Sequence, residues 1–92
     1  MNSNFIERVH VLLDDVKTVV GATLQIRARI QEMDANAPLL GAVPELDSMA
    51  VVNVITALEE RFDIVVADDE IDAATFETLG SLASFVERKL AE

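Results

Sequence analysis

The stretch Leu46-Asp47-Ser48-Met49-Ala50-Val51-Val52-Asn53-Val54-Ile55-Thr56-Ala57-Leu58-Glu59-Glu60-Arg61-Phe62 decides how the chain is read. It holds neither glycine nor proline, and its apolar positions Val51, Val52, Ile55, Leu58 and Phe62 recur at helical spacing. Asp and Ser are favoured where a helix begins, because a side-chain oxygen can accept one of the N–H groups that the first turn leaves unpaired. Asp47-Ser48 therefore predicts a helix start, with the helix running to about Phe62. The β-branched residues Val51, Val52, Val54 and Ile55 lower the intrinsic helix propensity a little. Burial against other elements must compensate. A serine at such a start is accessible, and an anion attached to it would sit in the positive field of the helix N-terminus.

Upstream, Asp34 to Pro44 reads as a loop holding Pro38, Gly41 and Pro44, with Leu39 and Leu40 as apolar anchors. A connection of that length is uncommon in a compact domain unless it packs down or has a task. Thr23 to Met33 is ambiguous: Leu24, Ile26, Ile30 and Met33 suit either a short helix or a loop pinned to the core. Before it, Phe5, Val9, Leu12, Leu13, Val16 and Val20 mark one face of a helix over Asn4–Val20, capped by Ser3 or Asn4 and stopped at Gly21. His10, the sole histidine, points away from that stripe and reads as a solvated residue. Downstream, Ile64-Val65-Val66 is a short extended run, and Asp68-Asp69-Glu70-Ile71 suits one helical turn. A last helix is expected from the cap Thr78 to about Leu90, with Leu79, Leu82, Phe85, Val86 and Leu90 as its apolar stripe.

The pattern is all-α and fits a single domain over residues 1–92. Apolar residues make up 51% of the chain, yet Trp and Tyr are absent, so the core must be built from aliphatic side chains and four Phe. There is no cysteine, which excludes a disulfide framework and thiolate metal sites. Any thiol chemistry must come from an added group. Neither a signal peptide nor a membrane-spanning run is visible, so a cytoplasmic protein is expected. The net charge is −10, and it is concentrated: from Glu45 onward twelve acidic residues face three basic ones. Such a surface repels nucleic acid and anionic membrane, and suits partners with basic surfaces.

Asp47-Ser48-Met49, followed by Ala57-Leu58-Glu59-Glu60-Arg61-Phe62-Asp63-Ile64 and then Val66-Ala67-Asp68-Asp69-Glu70, resembles the acyl carrier protein family. The resemblance implies a right-handed bundle of three main helices plus one short helix near residues 66–70. It implies no catalytic residue. Ser48 would bear a covalent 4′-phosphopantetheine derived from coenzyme A, with Asp47 as the adjacent motif residue. A phosphopantetheinyl transferase would install the arm, whose thiol would carry acyl groups as thioesters between partner enzymes. A mobile carrier of this kind is expected to be monomeric.

The sequence departs from the fatty-acid-type pattern on both sides of Ser48. Val43-Pro44-Glu45-Leu46 replaces a glycine-containing approach, and Ala50 and Asn53 stand where acids are usual. Met49, Ala50, Asn53 and Val54, with Glu59 and Glu60 further on, are the expected partner-docking residues. The Pro-Glu-Leu-Asp-Ser-Met form resembles stand-alone carriers of the bacterial exosortase and exopolysaccharide type. Within fatty-acid or polyketide biosynthesis broadly, it implies a specialised pathway, with an AMP-forming acyl ligase or synthase and transferase enzymes as partners, rather than general fatty-acid synthesis.

Three other readings fare worse. Asp68, Asp69, Glu70, Asp72 and Glu77 suggest a calcium loop, but counting from Asp68 puts Ala73 where the EF-hand needs glycine and Leu79 where it needs an acid. No metal site is expected. A serine hydrolase would need a base and a Gly-x-Ser-x-Gly turn, which the sequence lacks. A plain interaction bundle remains, and modification of Ser48 separates it from a carrier.

Overall fold

The computed structural model describes residues 3–92, with side chains from Leu12 onward, and its elements are helical. Helix α1 (Ser3–Leu24) leads to the short α2 (Arg27–Gln31), and a long loop follows to α3 (Ser48–Phe62). One turn of 3₁₀ helix (Asp68–Glu70) interrupts the next connection before α4 (Leu79–Leu90). The three main helices are those expected. The short helix implied near residues 66–70 is only the 3₁₀ turn, and the ambiguous stretch resolves into α2. The expected stripe positions Phe5 and Val9, the cap Ser3 or Asn4, and the orientation of His10 lie outside the described side chains.

Helix α1 packs against each of α2, α3 and α4. Its Val16 and Val20 meet Ile30 of α2, Val54 and Leu58 of α3, and Leu79, Leu82 and Val86 of α4 in one apolar core. Gly21 does not stop α1, as the sequence suggested. The helix continues to Leu24, and a Cβ at Gly21 would come within 2.8 Å of Ile30 Cγ2. The glycine lets α2 approach α1. The stop comes at Gln25, whose φ of 60° is left-handed, and the Ile26 N–H donates to Gly21 O at 2.9 Å. That hydrogen bond closes a Schellman-type end, with buried Ile26 as its apolar plug. Helix α3 ends in the same manner, through left-handed Asp63 and buried Ile64.

The loop between α2 and α3 is fastened to the start of α4. Leu39 and Leu40 donate to Glu77 O (2.9 Å) and Phe76 O (3.0 Å), while Leu79 and Gly80 donate to Ala37 O (3.1 Å) and Ala35 O (2.8 Å). Pro38 and Thr78 form an isolated antiparallel bridge at its centre. Of the two expected anchors only Leu39 is one. Its side chain is fully enclosed, whereas Leu40 is 45% exposed. Adjacent residues of an extended segment point to opposite sides, so one leucine reaches the core and the other faces water. Thr78 caps α4, accepting from the Ser81 N–H at 3.0 Å, and Ser81 Oγ returns the contact by accepting from the Thr78 N–H at 2.9 Å.

Candidate functional site

Ser48 stands at the junction of the pinned loop and α3. Val43 and Leu46 are buried, so the chain reaches α3 with its approach anchored in the core. The Leu46 side chain is spent on that anchoring and offers no surface beside Ser48. Asp47 is the cap. Its backbone is extended, and its Oδ1 accepts the Ala50 N–H at 2.8 Å. Ser48 is then the first helical residue, and it is exposed. Among the described residues no hydrogen bond engages its Oγ, and Asp47 turns its carboxylate to the helix backbone instead. A hydroxyl in that position is free to react with an approaching enzyme. An anion on it would lie at the positive end of a helix of 15 residues. The residues present therefore fit a phosphodiester at Ser48.

The acids near Ser48 are engaged within the chain. Glu45 pairs with Arg29 of α2. Its carboxyl titrates below the usual range because a backbone hydrogen bond, and then the Arg29 guanidinium, favour the charged form. Glu59 accepts the Val66 N–H at 2.9 Å, which ties the segment after α3 back onto the helix. Glu60 remains exposed.

The docking residues expected from the sequence are only partly on the surface. Met49 is 71% exposed and Asn53 is exposed. Val54 is fully enclosed and Ala50 is buried, so neither presents a side chain to a partner. These two are corrected to core positions: Ala50, Val54 and Leu58 share the i, i+4 row that faces α1. Glu59, half-buried on Val66, is a tether rather than a free acid. Val52 was expected inside yet is 59% exposed. It lies four residues from Ser48, on the same helical row, and that spacing was the signal for it.

A short exposed run of chain, a capped helix and a free serine at its first residue, carried on a small acidic bundle, define a carrier in which the reactive group is added rather than built in. Comparison with known proteins agrees. The family model described as a phosphopantetheine attachment site matches residues 14–86. An acyl carrier protein of Sulfurovum sp. is 39% identical over 77 residues, covering 83% of this chain and 95% of that protein. One from Wolinella succinogenes is 34% identical over 77 residues, covering 83% of this chain and 93% of its own. The solution NMR structure of a holo acyl carrier protein from Nitrosomonas europaea superposes with a TM-score of 0.82 at 60% identity, covering 87% of this chain and 96% of the other. The chain belongs to the acyl carrier protein family. It is a non-catalytic carrier whose prosthetic group is a covalent 4′-phosphopantetheine, modified by phosphopantetheinyl transferases and served by biosynthetic enzymes.

Proposed function

We propose that Ser48 is the attachment residue and that the loaded chain serves a dedicated acyl pathway. The observation that carries the first part is the exposed, unengaged Ser48 hydroxyl at the first residue of α3, behind its Asp47 cap. In the attachment the Ser48 Oγ attacks the phosphorus of coenzyme A that carries the pantetheine. An Oγ–P bond forms, adenosine 3′,5′-bisphosphate leaves, and the hydroxyl proton passes to a base of the transferase. Asp47 acts by fixing the helix start and thus the position of Ser48. The bound group supplies the thiol that the chain, with no cysteine, lacks.

The second part is supported by the surface next to Ser48. The first turn of α3 contains no acid, and Met49 and Asn53 stand there in the open. A carrier shaped for general fatty-acid synthesis would be expected to offer charge at that place. An AMP-forming acyl ligase, acting on this carrier in the cytoplasm, suits the neutral face better. Among the described residues no helix is long and apolar enough to cross a membrane. The test of the pathway is transfer of acyl groups to the holo chain by two enzyme types, an ATP-dependent ligase and a fatty-acid-synthesis transacylase from the same host. Faster loading by the ligase supports the reading, and faster loading by the transacylase overturns it.

A further inference from the structure

Helix α2 has only five residues, too few to hold itself by its own hydrogen bonds, so packing must fix it. Ile30 does this: it is fully enclosed and lies against Gly21 of α1. The residue before it, Arg29, is left outside, and its guanidinium pairs with Glu45, 16 residues further along the chain. Glu45 belongs to a tight turn in which the Leu46 N–H donates to Val43 O at 3.0 Å. Pro44 occupies the second place of that turn, which its fixed φ suits. Val43 and Leu46 go into the core on either side, so Glu45 stands outward at the corner, where Arg29 meets it.

Ser48 follows Glu45 by three residues, so their Cα atoms are at most about 11 Å apart. That is comparable with the screening length of about 10 Å in salt of about 0.1 M. Coenzyme A arrives at Ser48 as a polyanion, and a phosphodiester stays there afterwards. A free carboxylate at Glu45 would repel both and would offset the positive field of the α3 N-terminus. The other carboxylate of the approach, Asp47, is spent on the Ala50 N–H. Resting on the assignment of Ser48, we propose that Arg29 is a positioning residue for the attachment reaction. By pairing with Glu45 it cancels that charge and holds the carboxylate on the α2 side of the turn, which keeps the approach to Ser48 open to an anion. Arg29 acts through Glu45 and does not itself touch the reacting atoms.

The test measures conversion of the apo chain to the holo chain by the host's own phosphopantetheinyl transferase, with coenzyme A and magnesium, by intact-protein mass. Values of kcat/KM are compared for the wild type, R29Q, E45Q and R29Q/E45Q, each at about 50 and about 500 mM NaCl. The ion pair is half exposed, so helical content and the urea midpoint should stay nearly unchanged in all three variants. R29Q frees the carboxylate and should lower kcat/KM about threefold at low salt, the size expected of unit charges about 10 Å apart at a protein surface. R29Q/E45Q removes the carboxylate as well and should return to within about 1.5-fold of wild type, while E45Q should not fall below it. High salt should shrink the R29Q deficit to less than about 1.5-fold. The Glu45 carboxyl, followed by NMR, should titrate higher in R29Q than in the wild type. No deficit in R29Q at low salt, a deficit that E45Q does not relieve, one that persists in high salt, or an unmoved Glu45 titration would each overturn the role of Arg29. Wild-type chain that takes up no arm would instead sink the assignment of Ser48, and the role of Arg29 with it.

Discussion

Replacing Leu39 with alanine tests whether the long loop before Ser48 is a linker or part of the core. The Leu39 side chain is fully enclosed, and its N–H is bonded to the segment that opens α4. The substitution removes buried apolar atoms and leaves a space that the neighbours, held by the paired backbone of residues 37–40 and 76–80, cannot readily close. A Leu→Ala change at such a place costs about 3–4 kcal/mol. A chain of 92 residues has a total stability of roughly 5–14 kcal/mol, so the loss is a large share of it. With a urea dependence of about 1–2 kcal/mol per M, the unfolding midpoint should fall by roughly 2–3 M. Far-UV circular dichroism is the readout, because the chain has no Trp or Tyr to report by fluorescence. Leu40→Ala is the control, since that side chain is 45% exposed and should cost less than about 1 kcal/mol. Amide exchange at Leu79 and Gly80, whose N–H groups the loop accepts, should quicken in L39A more than in L40A. Equal midpoints for the two variants would refute the claim that the loop is a structural part of the bundle.

Two further perturbations address the segment between α3 and α4. Glu59→Ala should cost about 1–2 kcal/mol and speed exchange of the Val66 amide, because a hydrogen bond to a charged acceptor is lost, while Glu60→Ala stays within about 0.5 kcal/mol; equal effects would return Glu59 to the role of a free surface acid. Glu70 accepts the Ala67 N–H at 2.8 Å and Lys89 Nζ at 2.9 Å, and the backbone hydrogen bond, followed by the one from Lys89, holds its carboxyl below the usual range. A carboxyl lowered in the folded state stabilises above its unfolded pKa of about 4.3, and that contribution is lost as pH falls through the folded value. Glu70→Gln should therefore lower the urea midpoint at neutral pH and make a shrinking difference below about pH 4; a difference that persists undiminished in acid would contradict the pairing. Lys89 has the mirror behaviour: the hydrogen bonds it donates to Glu70 and then to Glu92 raise its pKa, so its contribution is present at neutral pH and fades only above the ordinary lysine value of about 10.4.

Features set by local chemistry were legible in the chain. Asp47 and Thr78 cap the helices where capping preference placed them, because an N-cap needs only its own side chain and the next turn. Features set by contacts between elements were not. Gly21 looked like a stop, but its lack of a side chain serves Ile30, which is nine residues on and visible only once α2 is folded against α1. The run Val51-Val52-Asn53-Val54-Ile55 has apolar residues on more than one side of a helix, so spacing alone could not choose between Val52 and Val54 for the core. Leu58 and Ala50 settle that register by falling on the Val54 row. Glu59 and Glu60 are alike in sequence, and only the return of the chain at Val66 makes one of them a tether. Ser48 at a helix start was legible, while the face beside it was read with Val54 outward and Val52 inward, the reverse of the structure.

Whether Ser48 carries the arm is decided by intact-protein mass. Apo chain is incubated with coenzyme A, magnesium and the host's phosphopantetheinyl transferase, alongside Ser48→Ala, which leaves the cap at Asp47 and the helix in place. The wild type should gain one phosphopantetheine and the variant none, with both equally helical. Gain on the variant, or none on the wild type, would contradict it.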